Sequence, residues 1–226
     1  MKTSDFLKKP ELELIEAFDL KGYTMYPEFT YNEMCLRRTH SSEEAGYSYS
    51  SGPSGFMTMY ARDTSNFPNI RQKVGWKFHV SLNQDQANDG TNLAKGWDIV
   101  NEVLRTHHCP EWKIIASPSA NVGASKQITI YACKDHKSSD EWQPILQAIE
   151  EQLTEAKIKP DPAGFCDTDR RIPGSRFIAY RNDSSPQGHY LPESHAISYN
   201  DSGQTDPYDT LALVPPDNSS KCCILI

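Results

Sequence analysis

The sequence predicts an α+β fold: a single compact domain built on a twisted, mainly antiparallel sheet flanked by helices, followed by a disordered C-terminal tail. Three observations predict it. Strand-like and helix-like stretches intersperse without regular βα repetition. Two long amphipathic helical patterns lie among short alternating strands. Beyond Asp183 the composition shifts to Ser, Pro, Asp, Asn and Gly with scattered aromatics. The 226 residues, 37% hydrophobic and 23% charged, suffice for one sizeable core with appended segments. The chain thus divides into an N-terminal arm (1–24), a domain (25–182) and a flexible tail (183–226).

The arm alternates charged and apolar residues from Ser4 to Leu20 and contains Pro10, which disfavours a continuous helix. It reads as extended. Ser41 to Gly55, rich in Ser, Gly and Tyr, reads as a mobile loop. Phe56–Ala61 and Trp76–Leu82 read as strands. In the second, Trp76, Phe78, Val80 and Leu82 alternate with Lys77, His79 and Ser81, so Lys77 and His79 share a polar face. Leu93–Thr106 fits an amphipathic helix with Trp97, Val100, Val103 and Leu104 on one side. Trp112–Ala116 and Gln127–Cys133 are further strands, the latter placing Tyr131 opposite Ile128 and Ile130. Ser138–Lys157 is a second helix, with Ser138 and Glu141 spaced as a capping box and Trp142, Ile145, Leu146, Ile149 and Leu153 as its buried stripe. Pro144 is expected to tighten or displace its first turn. Arg176–Arg181 is the last strand, and no internal repeat is present.

Charge excludes some functions. A net charge of -7 and a pI near 5.5 leave no general basic surface, so nucleic acid is not an expected partner and any anion site must be local. No stretch approaches the roughly 18 apolar residues of a spanning helix, and Met1 to Leu20 lacks a signal-peptide layout. The six cysteines form no CxxC pair; Cys35, Cys109, Cys133 and Cys166 read as ordinary intracellular thiols. Three adjacent side chains, His107-His108-Cys109, do not converge easily on one ion, and no metal site is expected.

Lys77 and His79 on one strand face suit a site for a phosphorylated group. Removing phosphate by elimination takes a base for the Cα proton, an acid or cation for the departing oxygen, and fixed cations around the phosphate. Lysine serves as a base only if burial or neighbouring cations depress its pKa, and the same crowding binds a dianion. Strand parity alone is equally satisfied by a solvated face. Lys113, sharing a strand face with Ile115, is as readily a surface lysine as a functional one.

The segments Gly75-Trp76-Lys77-Phe78-His79-Val80-Ser81, Trp112-Lys113, Ile128-Thr129-Ile130-Tyr131 and Tyr180-Arg181-Asn182-Asp183 resemble, in order, those of the phosphothreonine lyase family of bacterial secreted effectors, which read Gly-x-Lys-Phe-His-Ile-Ser, Trp-Lys, Thr-Leu-Tyr and Tyr-Arg-Asn-Glu. The similarity spans about Gly55 to Asp183, including Tyr60-Ala61-Arg62 before the first segment. The resemblance implies that Lys113 is the base, His79 the acid for the leaving oxygen, and Lys77 the stabiliser of charge on the reacting carbonyl or phosphate. It implies that Tyr131 and Arg181 position the phosphate, with Arg62 at the rim, and that no metal or organic cofactor takes part. Two positions depart from the family. Asn121 and Gly188 stand where it carries phosphate-binding arginines, each a bidentate clamp worth a few kcal/mol. Lys126, Arg170, Arg171, Arg176 or His189 are the available substitutes. Arg181 also has the parity of Phe177 and Ala179, so it faces a site only if the strand ends before it.

Lys8-Lys9-Pro10-Glu11-Leu12-Glu13-Leu14 resembles the docking motif of proteins that bind mitogen-activated protein (MAP) kinases: Lys8 and Lys9 for an acidic patch, Leu12 and Leu14 for apolar pockets. An amphipathic lead-in that packs on its own domain reads equally well. The lyase family also carries a docking segment at its N-terminus, which makes a phosphorylated host MAP kinase the leading expected partner. Cys223-Ile224-Leu225-Ile226 has the form of a prenylation box whose terminal Ile favours geranylgeranyl over farnesyl. One lipid holds a protein only marginally, and Cys222 is the candidate for a second, palmitoyl, anchor. A flexible tail would give the domain a reach of ~33 Å from the bilayer. Because such prenyltransferases are eukaryotic, the expected setting is a bacterial effector secreted into a host cell, lipidated by a host prenyltransferase and held on the cytosolic face of a host membrane. The alternatives are a catalytically altered, membrane-tethered phosphoprotein-binding module, and a phosphoesterase using two His-x-Ser/Thr pairs, for which His79-Val80-Ser81 supplies only one.

Overall fold

The computed structural model describes residues 47–51, 56–61, 75–84, 91–115, 126–132, 137–184 and 205–215. Among these residues seven strands form one sheet: β1 (Tyr47–Ser51), β2 (Phe56–Ala61), β3 (Trp76–Val80), β4 (Glu111–Ile115), β5 (Ile128–Ile130), β6 (Arg170–Arg171) and β7 (Ile178–Asn182). Their spatial order is β1-β2-β4-β5-β3-β7-β6, and every paired neighbour is antiparallel. Among the described residues, two helices, α1 (Thr91–Thr106) and α2 (Ser139–Glu155), join the sheet in the α+β domain expected from sequence.

The alternation in β3 decides the layering. Phe78 packs its ring against Trp142 of α2, and Trp112 of β4 donates from Nε1 to Asn101 Oδ1 of α1 at 3.1 Å. Both helices therefore cover the face that carries Trp76, Phe78, Val80, Trp112, Ile114, Ile128 and Ile130, all buried. All four tryptophans are at most 2% exposed, and removing each such ring from water contributes on the order of 2–3 kcal/mol. Residues of opposite parity, among them Lys77, His79, Lys113 and Thr129, lie on the other face.

The capping box at α2 is present: Ser138 Oγ accepts from Glu141 N–H, and Glu141 Oε2 accepts from Ser138 N–H at 2.8 Å. Pro144 neither displaces nor shortens the start of the helix, which runs through it from Ser139; its missing N–H removes only the one helical bond it would have donated to the carbonyl of Asp140. Glu150, buried on the same helix, accepts from Ser175 Oγ at 2.7 Å and from the Arg176 N–H at 3.0 Å, and so fixes the entry to β7.

Three expectations are corrected. The stretch expected as a loop contains β1, which pairs antiparallel with β2. The last strand runs Ile178–Asn182, later than expected, because Arg176 and Phe177 are drawn to Glu150. Part of the expected tail belongs to the domain. Asp183 and Ser184 are buried, and Thr205–Pro215 packs on the core with Tyr208, Leu211 and Leu213 buried. The Tyr208 ring lies 4.9 Å from Phe78 and 5.8 Å from Trp76, centroid to centroid. Asp206 pairs with Arg170 at 2.6 Å and accepts from Tyr180 Oη at 2.9 Å, while Gln147 of α2 exchanges two hydrogen bonds with the main chain of Val214. The N-terminal arm, with Lys8, Lys9, Leu12 and Leu14, and Arg62, Asn121, Gly188, His189, Cys222 and Cys223 lie outside the described residues. No described helix is long and apolar enough to cross a membrane.

Candidate active site

Register gathers residues distant in sequence. Lys113 pairs with Thr129, Thr129 with His79, His79 with Ala179 and Ala179 with Arg171. Since partners across an antiparallel ladder share a face, Lys113 and His79 stand in one row, two strands apart, on the face away from the helices. The adjacent row pairs Lys77 with Arg181, and Tyr131, whose N–H donates to Glu111 O at 3.1 Å, continues it past the end of β5. Lys77 Nζ is 5.4 Å and Lys113 Nζ 5.8 Å from the centre of the Tyr131 ring. Two amines from different strands thus flank one phenol.

Arg181 joins this group within an unbroken strand. The β7 core face is that of Ile178 and Tyr180, the latter against Phe78 and Tyr208, so the parity of Phe177 and Ala179 is the site parity and the strand need not end early. Arg181 Nη1 donates to Thr168 Oγ1 at 2.7 Å, stands 3.7 Å from Asp169 Oδ1, and its Nε is 2.5 Å from Asp183 Oδ1 in an ion pair without hydrogen-bond alignment. Asp183 also reaches Lys77, Oδ2 to Nζ, at 2.5 Å. His79 Nδ1 lies 3.0 Å from Asp169 Oδ2, with both side chains at most 2% exposed.

These two carboxylates, which hold the cations and imidazole of the candidate site, are missed by sequence reasoning. Asp169 has no local signal, because its partner lies 90 residues away; Asp183 ends the Tyr-Arg-Asn-Asp segment where the composition already turns to that of the tail. Of the candidate substitutes for missing arginines, Arg170 is turned to the core face by Asp206, Arg176 lies beside Phe177 and Glu150, and Arg171 is exposed on the edge strand with its guanidinium over Phe165. Lys126 is near enough to influence Lys113.

The electrostatics separate the groups. Burial, then the charges of Lys77 and Lys126, push the Lys113 amine down to about 8, so an appreciable share is neutral and able to accept a proton near neutrality. Burial pushes the His79 imidazole below its ordinary value, against the upward pull of Asp169. Burial opposes the charge on Asp183, yet Lys77 and Arg181 together hold its carboxyl below the usual range. Among the described residues no cluster of His, Cys, Asp and Glu is arranged to hold a metal ion.

No family model matches the chain, and no curated protein does. Solved structures do. The type III effector and phosphothreonine lyase OspF from Shigella flexneri matches over 80% of this chain and 92% of its own, at 18% identity and a TM-score of 0.50. The fold is that of the phosphothreonine lyases. A mutant of the Salmonella plasmid virulence C protein, SpvC, matches over 80% of this chain and 87% of its own, at 16% identity and a TM-score of 0.50. The Chromobacterium violaceum phosphothreonine lyase effector VirA (SpvC) is matched over 61% of this chain and 66% of that one, at 18% identity and a TM-score of 0.45. On this lyase fold the four segments singled out in the sequence fall on β3, β4, β5 and β7, in the centre of the sheet.

Proposed function

We propose that the protein is a carbon–oxygen lyase that removes phosphate from phosphorylated host proteins by β-elimination. The observation that carries this reading is the pair of amines around Tyr131, one of them depressed to about 8, in the same two rows as an imidazole held by a buried carboxylate. In the reaction, neutral Lys113 takes the Cα proton of a phosphothreonine. The released pair forms the Cα=Cβ bond and the Cβ–O bond breaks. His79 gives its proton to the departing oxygen, so the products are inorganic phosphate and a dehydroamino acid. Lys77 bears the negative charge that develops on the substrate carbonyl, and Tyr131, Arg181, Lys126 and Arg62 surround the phosphate. Burial favours neutral His79, but the arrival of a phosphate dianion raises the proton affinity of the imidazole beside it. Asp169 fixes the ring so that Nε2 faces the substrate. The reaction as written draws on no metal or organic cofactor.

The preferred substrate is a phosphorylated MAP kinase, engaged through Lys8, Lys9, Leu12 and Leu14. The setting is the cytosolic face of a host membrane after secretion by a bacterium, with a prenyl group on Cys223 and a second lipid on Cys222. The kinase and lipid readings rest on the sequence motifs alone, and secretion is supported by the effector names carried by the matched structures. Incubating a doubly phosphorylated MAP kinase with the wild type and with Lys113→Ala tests the chemistry. Mass spectrometry is expected to find the elements of phosphoric acid lost with the wild type only; a regenerated hydroxyl would mean hydrolysis instead. The alternative reading, a catalytically altered phosphoprotein-binding module, is favoured by Asn121 and Gly188 at the places of family arginines. Binding without any change of substrate mass would select it.

A further inference from the structure

We infer that Asp183 is a positioning residue that gives the two lysines of the site their different parts, pinning Lys77 as the fixed cation and leaving Lys113 as the amine that exchanges protons. The naming of those parts rests on the lyase reading; the pinning itself does not. Lys77 and Lys113 flank the same ring at similar distances, and residue type cannot tell which of two identical amines serves as base. Their relation to Asp183 can. The carboxylate touches Lys77 at 2.5 Å, and its pull on Lys113 is weaker than the opposing push of Lys77 and of Lys126.

Asp183 cannot easily change allegiance. Its N–H donates to Gly75 O at 2.9 Å, and its second oxygen is held 2.5 Å from Arg181 Nε. Gly75 has φ +91°, and a Cβ there would overlap Asn182 Oδ1 and Ser184 Oγ. The glycine thus lets the start of β3 lie directly against the Asn182–Ser184 turn that carries the carboxylate, and Ser184 N–H closes that turn on Asn182 Oδ1 at 2.9 Å. The charged and titratable groups facing the pair are Arg181 from β7, His79 from β3, Lys113 and Glu111 from β4, Tyr131 after β5, Lys126 before it, and Asp169 from the loop leading to β6. Among them Asp183 alone bridges two cations, from β3 and β7, at 2.5 Å each.

Amine acetylation reads the assignment without requiring turnover, because only a neutral amine reacts. The full chain is treated with a small acetylating reagent at pH 7.5, and labelling of Lys77 and Lys113 is followed by peptide mass spectrometry against exposed Lys157. In the wild type and in Asp183→Glu, Lys113 is expected to label and Lys77 to be spared. In Asp183→Asn, labelling of Lys77 is expected to rise by about tenfold or more, and kcat on a phosphothreonine peptide to fall by a similar factor, since the two amines then share one role. Circular dichroism checks that Asp183→Asn is folded. Should it not fold, the wild type still decides, because labelling of Lys77 as fast as Lys113 there overturns the inference. So does a folded Asp183→Asn in which Lys77 stays as protected as before. Predicted labelling in a protein that eliminates no phosphate would leave the inference standing and remove the lyase reading alone.

Discussion

If Lys113 is the base, its depressed pKa must appear in the rate. With the amine at about 8, ~9% of the enzyme carries it neutral at pH 7 and ~50% at pH 8, so kcat at saturating substrate, where the bound phosphate holds His79 protonated, rises about fivefold between them and levels off roughly tenfold above its pH 7 value. At the ordinary lysine value of 10.5, the neutral share at pH 7 would be ~0.03%, so the site gains roughly 300-fold in available base. The assay is initial-rate elimination on a phosphothreonine peptide from pH 6 to 10, followed by the absorbance of the dehydro product. Lys126→Gln removes one of the charges that push Lys113 down and moves the rising limb to higher pH. Lys113→Met abolishes activity and does not destabilise the protein at neutral pH. The sign follows from linkage: a lysine whose value in the fold lies below its unfolded value penalises folding fully below pH 8, and the penalty fades as pH rises from about 8 to 10.5. The melting temperature of Lys113→Met should therefore equal or exceed that of the wild type at pH 7 and lose any advantage by pH 10.5. A flat rate profile between pH 7 and 9, or substantial activity in Lys113→Met, would refute the assignment.

Asp169→Asn leaves the shape of the site but removes the charge that orients and supports His79; kcat is expected to fall by roughly 100-fold or more while KM changes little, as steady-state kinetics on the same peptide would reveal. Tyr208→Ala empties a fully packed aromatic position against Trp76, Phe78 and Tyr180 and should cost about 3–5 kcal/mol in urea denaturation; a loss below about 1 kcal/mol would mean that Thr205–Pro215 is not docked. Ser138→Ala removes the capping box of α2 and should cost about 1 kcal/mol, seen as a lower melting temperature with unchanged activity per folded molecule.

Much of this arrangement is legible in the sequence because it is local. Alternation in Trp76–Val80 is enough to put Phe78 and His79 on opposite faces, and the Trp142–Leu153 stripe with its Ser138 cap announces α2. β1 escapes because Ser, Gly and Tyr together make a weak strand signal; it shows only in its pairing with β2. β6 is two arginines whose opposite faces are read only from register. Tyr208, Leu211 and Leu213 follow neither a helical nor a strand period and stand among Asp and Pro, so their burial depends entirely on what they meet. Asp169 and Asp183 are hidden for a related reason. Ion pairs across 90 and 106 residues leave no mark on either neighbourhood, whereas the lysines and histidine they hold lie in segments that can be recognised.

Docking of Thr205–Pro215 also sets a leash. Cys223 follows Pro215 by eight residues, and eight residues of any conformation span at most ~29 Å. A lipid on that cysteine would keep the bilayer close to the side of the sheet where Gln147 grips Val214, not at the end of a long cord running from Asp183.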